Sequence, residues 1–591
     1  MRLAGLVARK NVFNFHQTPL RNLVVDSSPR LKPLNKIFRR ITLHPNWTLT
    51  FVTMAVLAPF LAKPFNIDDP LFIWVAHQIQ AHPLNPFGFN VNWFGTVSPM
   101  YLATENPPVA CYYIAFAAAI FGWSEIALHG AFLLPAIAVV LGTYRLAKKF
   151  CGQAMLTALA TLFTPVFMIS SMTVMCDVMM LAFWVWAVVF WMEGMDKNDF
   201  RKLSVAGLLI ALAALTKYYG VCLVPLLASY SLIETRRPGR WAACLLIPLA
   251  ALCAYQWITR ALYGRAMLSD AMDYAGYARG ITGVSGMATV LTALTFTGGC
   301  VAVAVFFMPL LWRARTLAVF AATAILIAGV LFFVGAKLEQ FISPDATSAI
   351  FVEMQIIFWA VGGIGVLALA VENLWDQRDS KSSLLALWVF GTFLFASVFN
   401  WTVNGRSILP MVPAVAILIV SRLERNAAAG WKRPKFAVPV SLAAGAALAL
   451  VVTRADYYFA VATRQTAVQT CAKFANERKK FWFEGHWGFQ YYMESSGFAA
   501  LDVKQSPIKP GDILALPENN TSTGLPNADA IARQETIDVP GPRFLTTMNV
   551  AVAAGFYASV RGSLPFAFGK VPPEKVFLYF LKTNAPVPPG N

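Results

Sequence analysis

Between Trp47 and Thr453 the chain is a succession of apolar runs, separated by short loops that hold most of the charge. Each run is close to the roughly 20 residues that a helix needs to cross a bilayer. So many runs exceed what one soluble core could absorb. The whole chain is 57% hydrophobic and 13% charged, against roughly 45–50% and 25% in soluble domains, so it is expected to be solvated largely by lipid. About thirteen spans are predicted, at approximately 47–62, 126–146, 153–175, 178–195, 203–217, 219–234, 241–262, 287–311, 317–336, 351–371, 383–403, 407–421 and 436–453.

A net charge of +18 would ordinarily raise the question of nucleic acid, but position argues against it. Arg and Lys gather in alternate loops: before the first span (Lys36, Arg39, Arg40), then around Lys148, Arg201, Arg237, Arg313, Lys381 and Lys432. By the positive-inside rule these loops are cytoplasmic, and the basic excess sets topology. Pro107–Trp123 is apolar enough to span, yet counting it would put Arg145, Lys148 and Lys149 outside. It is therefore expected to lie along the outer surface, with Tyr112, Tyr113 and Trp123 at the interface. The N-terminus is then inside and the C-terminus outside.

The expected organisation is a basic cytoplasmic segment at 1–46, a transmembrane module at 47–453 with a long external loop at 63–125, and a soluble α/β domain outside the membrane at 454–591. In that last part apolar runs shorten, Pro and Asn return, and stretches such as Asp512 to Leu516 read as strands. Only Cys471 of the eight cysteines falls there, so neither a disulfide framework nor zinc-ligand spacing is available. The N-terminal residues lack a compact apolar core, and no cleaved signal peptide is expected.

The first external loop carries an acidic pair, Asp68-Asp69, in a chain that otherwise keeps acids out of its apolar stretches. Its ordinary structural explanation is a helix start: Pro70 is tolerated in a first turn, and an acid there satisfies free N–H groups. Further polar residues fall on the same expected external face: Glu105-Asn106-Pro107-Pro108, Asp177 in Met175-Cys176-Asp177, Thr216-Lys217-Tyr218-Tyr219, and Arg406-Ser407-Ile408-Leu409-Pro410.

In order and spacing, this set resembles the polyprenyl-phosphate-sugar-dependent glycosyltransferases of the GT-C fold. The nearest likeness is to the branch of the lipid A aminoarabinose transferase and the bacterial relatives of the protein O-mannosyltransferases. The chain differs from that pattern by Asp for Glu at 69, Asn for Lys at 106 and Ser for Tyr at 407. The resemblance implies a mainly α, polytopic membrane enzyme. Its donor would be a polyprenyl-phosphate sugar and its acceptor a lipid, glycan or protein, with membrane lipids around it and no nucleic-acid partner. It also implies residence in a bacterial inner membrane.

Asp68 is then the first candidate base for the acceptor hydroxyl and Asp69 the second, since an ionised Asp can orient a hydroxyl and take its proton late in the transition state. Direct attack would invert the anomeric centre. Lys217 and Arg406 are candidates for the departing phosphate, where fixed cations lower the barrier. Glu105, Asp177 and Tyr218 are candidates for positioning sugar or acceptor. Hard carboxylate ligands are compatible with a divalent ion such as magnesium, but scattered acids without His predict one poorly and no metal is assigned. His486, in Glu484-Gly485-His486-Trp487-Gly488, is read as domain core in preference to a sugar contact.

Two other classes compete. A secondary transporter would place its charges near the midplane on broken helices and would show repeated halves; here the charges gather at one face. A noncatalytic scaffold would use the external domain to bind a partner.

Overall fold

The computed structural model describes residues 44–104, 106–282, 286–334, 349–521, 524 and 526–582. From Leu49 onward the chain is one compact unit. The fold is mainly helical, with a strand-containing region near the C-terminus.

Among the described residues each expected span falls largely in helix. Among the described residues seven helices are long and apolar enough to cross a membrane, or up to nine if each of two bent pairs is one span. The bent pairs are Ala154–Leu162 with Pro165–Ser171, at 65°, and Gly286–Cys300 with Val303–Leu311, at 85°. Pro165 accounts for the first bend. It offers no N–H to the preceding turn and pushes Thr164 to an extended conformation (ψ 139°). Shorter helices, Pro45–Leu57, Phe200–Thr216 and Leu223–Thr235, occupy other expected spans. The expected surface helix is Val109–Phe121. Large apolar side chains such as Trp257, Phe358 and Val440 stand exposed on the helices, as befits a protein whose solvent is hydrocarbon. These helices make this an integral membrane protein.

The loop expected to be external contains the helix Asp69–Ala81 and a short hairpin, Asn90–Asn92 paired with Val97–Pro99. The helix Ala437–Lys473 carries the chain without a break from the last expected span into the C-terminal region. There a five-stranded sheet has the order Ala499–Ala500, Phe481–Phe483, Ile513–Pro517, Glu574–Leu581, Ile531–Val539. The first three strands run parallel; Glu574–Leu581 is antiparallel to both of its neighbours. One face of the sheet buries Phe481, Phe483, Val576 and Leu578 against Ala467 of the long helix and Met493. The other buries Leu514, Leu516 and Tyr579.

The segment between the last two strands does something different. Leu545, Met548, Phe556, Tyr557 and Phe566 join the main core of the helical module. Their backbone is tied there as well. Gln355 donates from Nε2 to Phe568 O at 2.9 Å and accepts from Phe568 N at 2.7 Å.

Close helix packing depends on small residues where backbones meet. A Cβ on Gly298 would lie 1.9 Å from the carbonyl oxygen of Trp359, and one on Gly363 would lie 2.1 Å from that of Leu294. Gly286–Cys300 and Ala349–Gln377 can therefore touch only through glycine at these points. Gly298→Val is expected to destabilise the detergent-solubilised protein by about 1–3 kcal/mol, the usual range for overpacking, read as a lower thermal unfolding midpoint.

Candidate active site

Asp68 and Asp69 follow directly on Ile67, whose φ of +53° is left-handed. For a β-branched residue this is strained backbone, held only because the surroundings fix it. The turn sends the two carboxylates in different directions. Asp69 is fully buried, and accepts hydrogen bonds from Asn66 N at 3.0 Å and from Val174 N at 2.8 Å. It thereby ties the loop to the residues just before Asp177. Asp68 makes no side-chain cap to its helix; its Oδ2 instead receives Arg406 Nη1 at 2.8 Å. A plain capping role thus leaves Asp68 unexplained.

Arg406 sits on the short helix Gly405–Ile408, which is capped by Asn404 Oδ1 accepting from Ser407 N at 2.8 Å. Its Nη1 also approaches Met175 Sδ at 3.1 Å, and its guanidinium carbon lies 5.8 Å from the centre of the Tyr557 ring. Asp177 opens the helix Asp177–Lys197 and is 1% exposed. Lys217, at the extended residue that ends Phe200–Thr216, reaches Asp177 Oδ1 at 2.7 Å. The second carboxylate oxygen of Asp177 and Nε of Arg406 are both buried without a hydrogen-bond partner among the described residues.

Four of the seven candidate residues therefore form two neighbouring ion pairs, Asp68–Arg406 and Asp177–Lys217, with Met175 and Cys176 between them. Asp69 buttresses this group from below. Glu105 lies outside the described residues; its neighbour Asn106 accepts from Cys176 Sγ at 3.7 Å. Tyr218 faces Tyr255, ring centres 6.2 Å apart. His486 is buried beside Trp93, with ring centres 5.5 Å apart, and burial pushes its pKa down to about 4.

A second set of residues escaped the sequence reading. Lys63 is 3% exposed and pairs at 2.5 Å with Asp456 Oδ2; Asp456 is itself 1% exposed. The same carboxylate accepts from Thr547 Oγ1 at 2.7 Å and from Tyr557 Oη at 3.1 Å. Burial, followed by the nearby Asp456 and Asp69 charges, pushes the Tyr557 phenol well up. The Tyr557 ring thus stands between the Asp456 network and Arg406. The adjoining backbone braces the Arg406 loop. Gly405 N donates to Phe556 O at 2.8 Å, and Ser559 N donates to Val403 O at 2.8 Å. In sequence, Lys63 and Asp456 look like ordinary charges at span ends. Only their pairing across 393 positions gives them a role.

Residues 105–258 match the family model for dolichyl-phosphate-mannose-protein mannosyltransferases, a stretch that includes Asp177, Lys217 and Tyr218. Over that stretch, about a quarter of the chain, the sequence is similar to that family. The matched segment contains the Asp177–Lys217 pair, and the residues flanking it on both sides supply the Asp68–Arg406 pair. Among solved structures the chain is similar to the Archaeoglobus fulgidus oligosaccharyltransferase tethered with an acceptor peptide, at 13% identity and a TM-score of 0.43, covering 78% of this chain and 64% of that one. It is also similar to ArnT from Cupriavidus metallidurans bound to undecaprenyl phosphate, at 14% identity and a TM-score of 0.41, covering 82% of this chain and 93% of that one. A third likeness is to the arabinofuranosyltransferase AftD from Mycobacteria, at 12% identity and a TM-score of 0.38, covering 92% of this chain and 40% of that one. The chain spans 64–66% of the length of the archaeal structures. No curated protein matches it.

Removing one member of a buried ion pair leaves the other charge uncompensated, which costs about 3–5 kcal/mol. Asp456→Ala is accordingly expected to lose stability on that scale. The double replacement Lys63→Met with Asp456→Leu is expected to recover much of the loss, as measured by thermal or denaturant unfolding in detergent. Asp69 gives a pH signature. Burial raises its pKa from 3.8 to about 7, against the opposing effects of Lys63 and the Asn66 and Val174 N–H groups. The folded protein then holds a proton that the unfolded chain releases near the ordinary value, so this group's stabilisation is full below that value and is lost as pH rises towards about 7. Unfolding midpoints recorded from pH 4 to 8 are expected to fall less steeply in Asp69→Asn than in the parent.

Proposed function

We propose that the chain is an integral membrane glycosyltransferase. It takes a sugar from a polyprenyl-phosphate carrier and transfers it, with inversion, to a hydroxyl on the outer face of the cytoplasmic membrane. The observation that carries this reading is the pair of adjoining carboxylate–cation contacts with two unsatisfied polar atoms in their midst. Buried polar atoms without partners cost about 1–3 kcal/mol each, so a ligand that satisfied these two would gain by it. The family match over 105–258 supports the donor class.

In this reading Arg406 and Lys217 take the donor phosphate. Both are now neutralised by carboxylates, and a bound phosphate would share them. Asp68, loosened from Arg406 as the phosphate engages it, accepts the proton of the acceptor hydroxyl. That oxygen bonds to the anomeric carbon while the bond from this carbon to the phosphate oxygen breaks. The polyprenyl phosphate departs with the electron pair, and the two cations offset its growing charge. Asp177 Oδ2 is free to accept from a sugar hydroxyl. Asp69, held by two backbone N–H groups, positions Asp68, and Tyr557 supports the guanidinium of Arg406.

The test is transfer from a labelled polyprenyl phosphosugar by purified protein. Asp68→Asn is expected to slow transfer by about 10²–10⁴-fold, the usual contribution of a general base, while polyprenyl phosphate still binds. Arg406→Ala is expected to weaken that binding directly. Full transfer by both Asp68→Asn and Asp69→Asn would overturn the assignment of the base.

A further inference from the structure

A cleft of about 630 Å³ opens between the first external loop and the C-terminal domain. Its volume falls in the range of roughly 300–1,000 Å³ typical of small-molecule sites. One wall is the helix Asp69–Ala81, which presents Trp74, His77 and Gln78. The hairpin contributes Asn90 and Asn92, and the far wall holds Glu494. Trp74 and Gln78 lie five and nine residues beyond Asp69. At 1.5 Å of rise per residue this is about 8 Å and about 14 Å along the helix that starts at the acidic pair.

The walls are held rigidly. Trp74 packs edge-on against Trp93, centres 6.1 Å apart, and His77 stacks on Trp123 at 3.5 Å. Asn92 Nδ2 donates to Leu501 O at 2.7 Å. Gln490 Nε2 bridges the hairpin and the far wall, donating to Asn92 O at 2.6 Å and to Glu494 Oε1 at 2.8 Å. A pocket braced from both domains pays little conformational cost to receive a ligand.

Its chemistry narrows the ligand. None of the ten lining residues is Lys or Arg, and Glu494 is the only carboxylate. Burial lowers the His77 pKa, so this ring brings no cation at neutral pH. Phosphate and carboxylate ligands are recognised by Arg and Lys forks; here an anion would meet only the charge of Glu494. What the cleft does offer is aromatic faces beside amide groups. An amide both donates and accepts, matching the dual character of hydroxyls, and the negative face of an aromatic ring favours the polarised C–H bonds of a sugar ring.

We infer that this cleft binds a short, uncharged glycan, and that this glycan is the acceptor of the transferase. The second half rests on the function proposed above; the first does not. A peptide laid along the hairpin edge and an anionic glycan are the competing occupants.

The test is equilibrium binding of three fluorescent probe sets to the purified full-length protein in nanodiscs: neutral tri- and tetrasaccharides, their sulfated counterparts, and short extended peptides. Saturable binding of neutral probes is expected, with no measurable binding of sulfated ones. His77→Ala and Asn90→Ala alter exposed side chains, and each is expected to weaken neutral binding by roughly tenfold, about the loss of one good contact. Glu494→Lys is expected to admit sulfated probes. The inference is overturned by preference for sulfated probes or peptides, by neutral binding that both alanine variants leave unchanged, or by no neutral binding in protein that still transfers sugar. Binding needs no turnover, so a protein that holds neutral glycans in this cleft yet transfers nothing would refute the proposed function and leave the cleft assignment standing.

Discussion

The carboxylate of Asp456 is where three distant stretches of the chain meet. It holds Lys63 at the exit of the first helix, Thr547 and Tyr557 from the C-terminal region, and it stands on the helix that joins that region to the membrane module. At 1% exposure a lone carboxylate would be costly, and each partner removes part of that cost. The same contacts forbid the C-terminal region from drifting away as an appended domain. Its sheet has its own core, yet the segment carrying Tyr557 belongs to the core of the helices. The first loop, the Arg406 loop and the C-terminal region therefore belong to one compact unit.

The contrast between this network and its neighbour is informative. Around Asp456 both carboxylate oxygens are engaged, as a structural junction requires. A few side chains away, Asp68–Arg406 and Asp177–Lys217 are more open and leave one oxygen and one guanidinium nitrogen without partners among the described residues. A saturated cluster specifies geometry; an unsaturated one beside it has capacity for a ligand. Tyr557 links the two, donating to Asp456 through its hydroxyl and turning its ring towards Arg406.

Much of the helical architecture was legible in the sequence because the signal is local: an apolar run of membrane length folds in only one way in lipid. The acidic pair was legible for a similar reason, since two carboxylates at a span end stand out against an apolar background. The bends at Pro165 and near Cys300 were harder to see, because the flanking hydropathy hardly changes. The continuation of Ala437–Lys473 through the expected boundary at 453 was likewise hidden, as loss of apolar character reads the same whether a helix ends or merely leaves the bilayer. Lys63 and Asp456 could not be told from ordinary span-end charges.

The sequence by itself determined that this chain lives in a membrane, that its apolar runs are helical, and which charged residues are candidates for chemistry. Each of these follows from composition over a few turns. Only the tertiary structure decided which acid meets which base, that Asp69 supports while Asp68 faces Arg406, and that a C-terminal tyrosine underlies the site. Those outcomes depend on contacts between residues hundreds of positions apart, chosen by the cost of burying charge without a partner, and no local pattern encodes that choice.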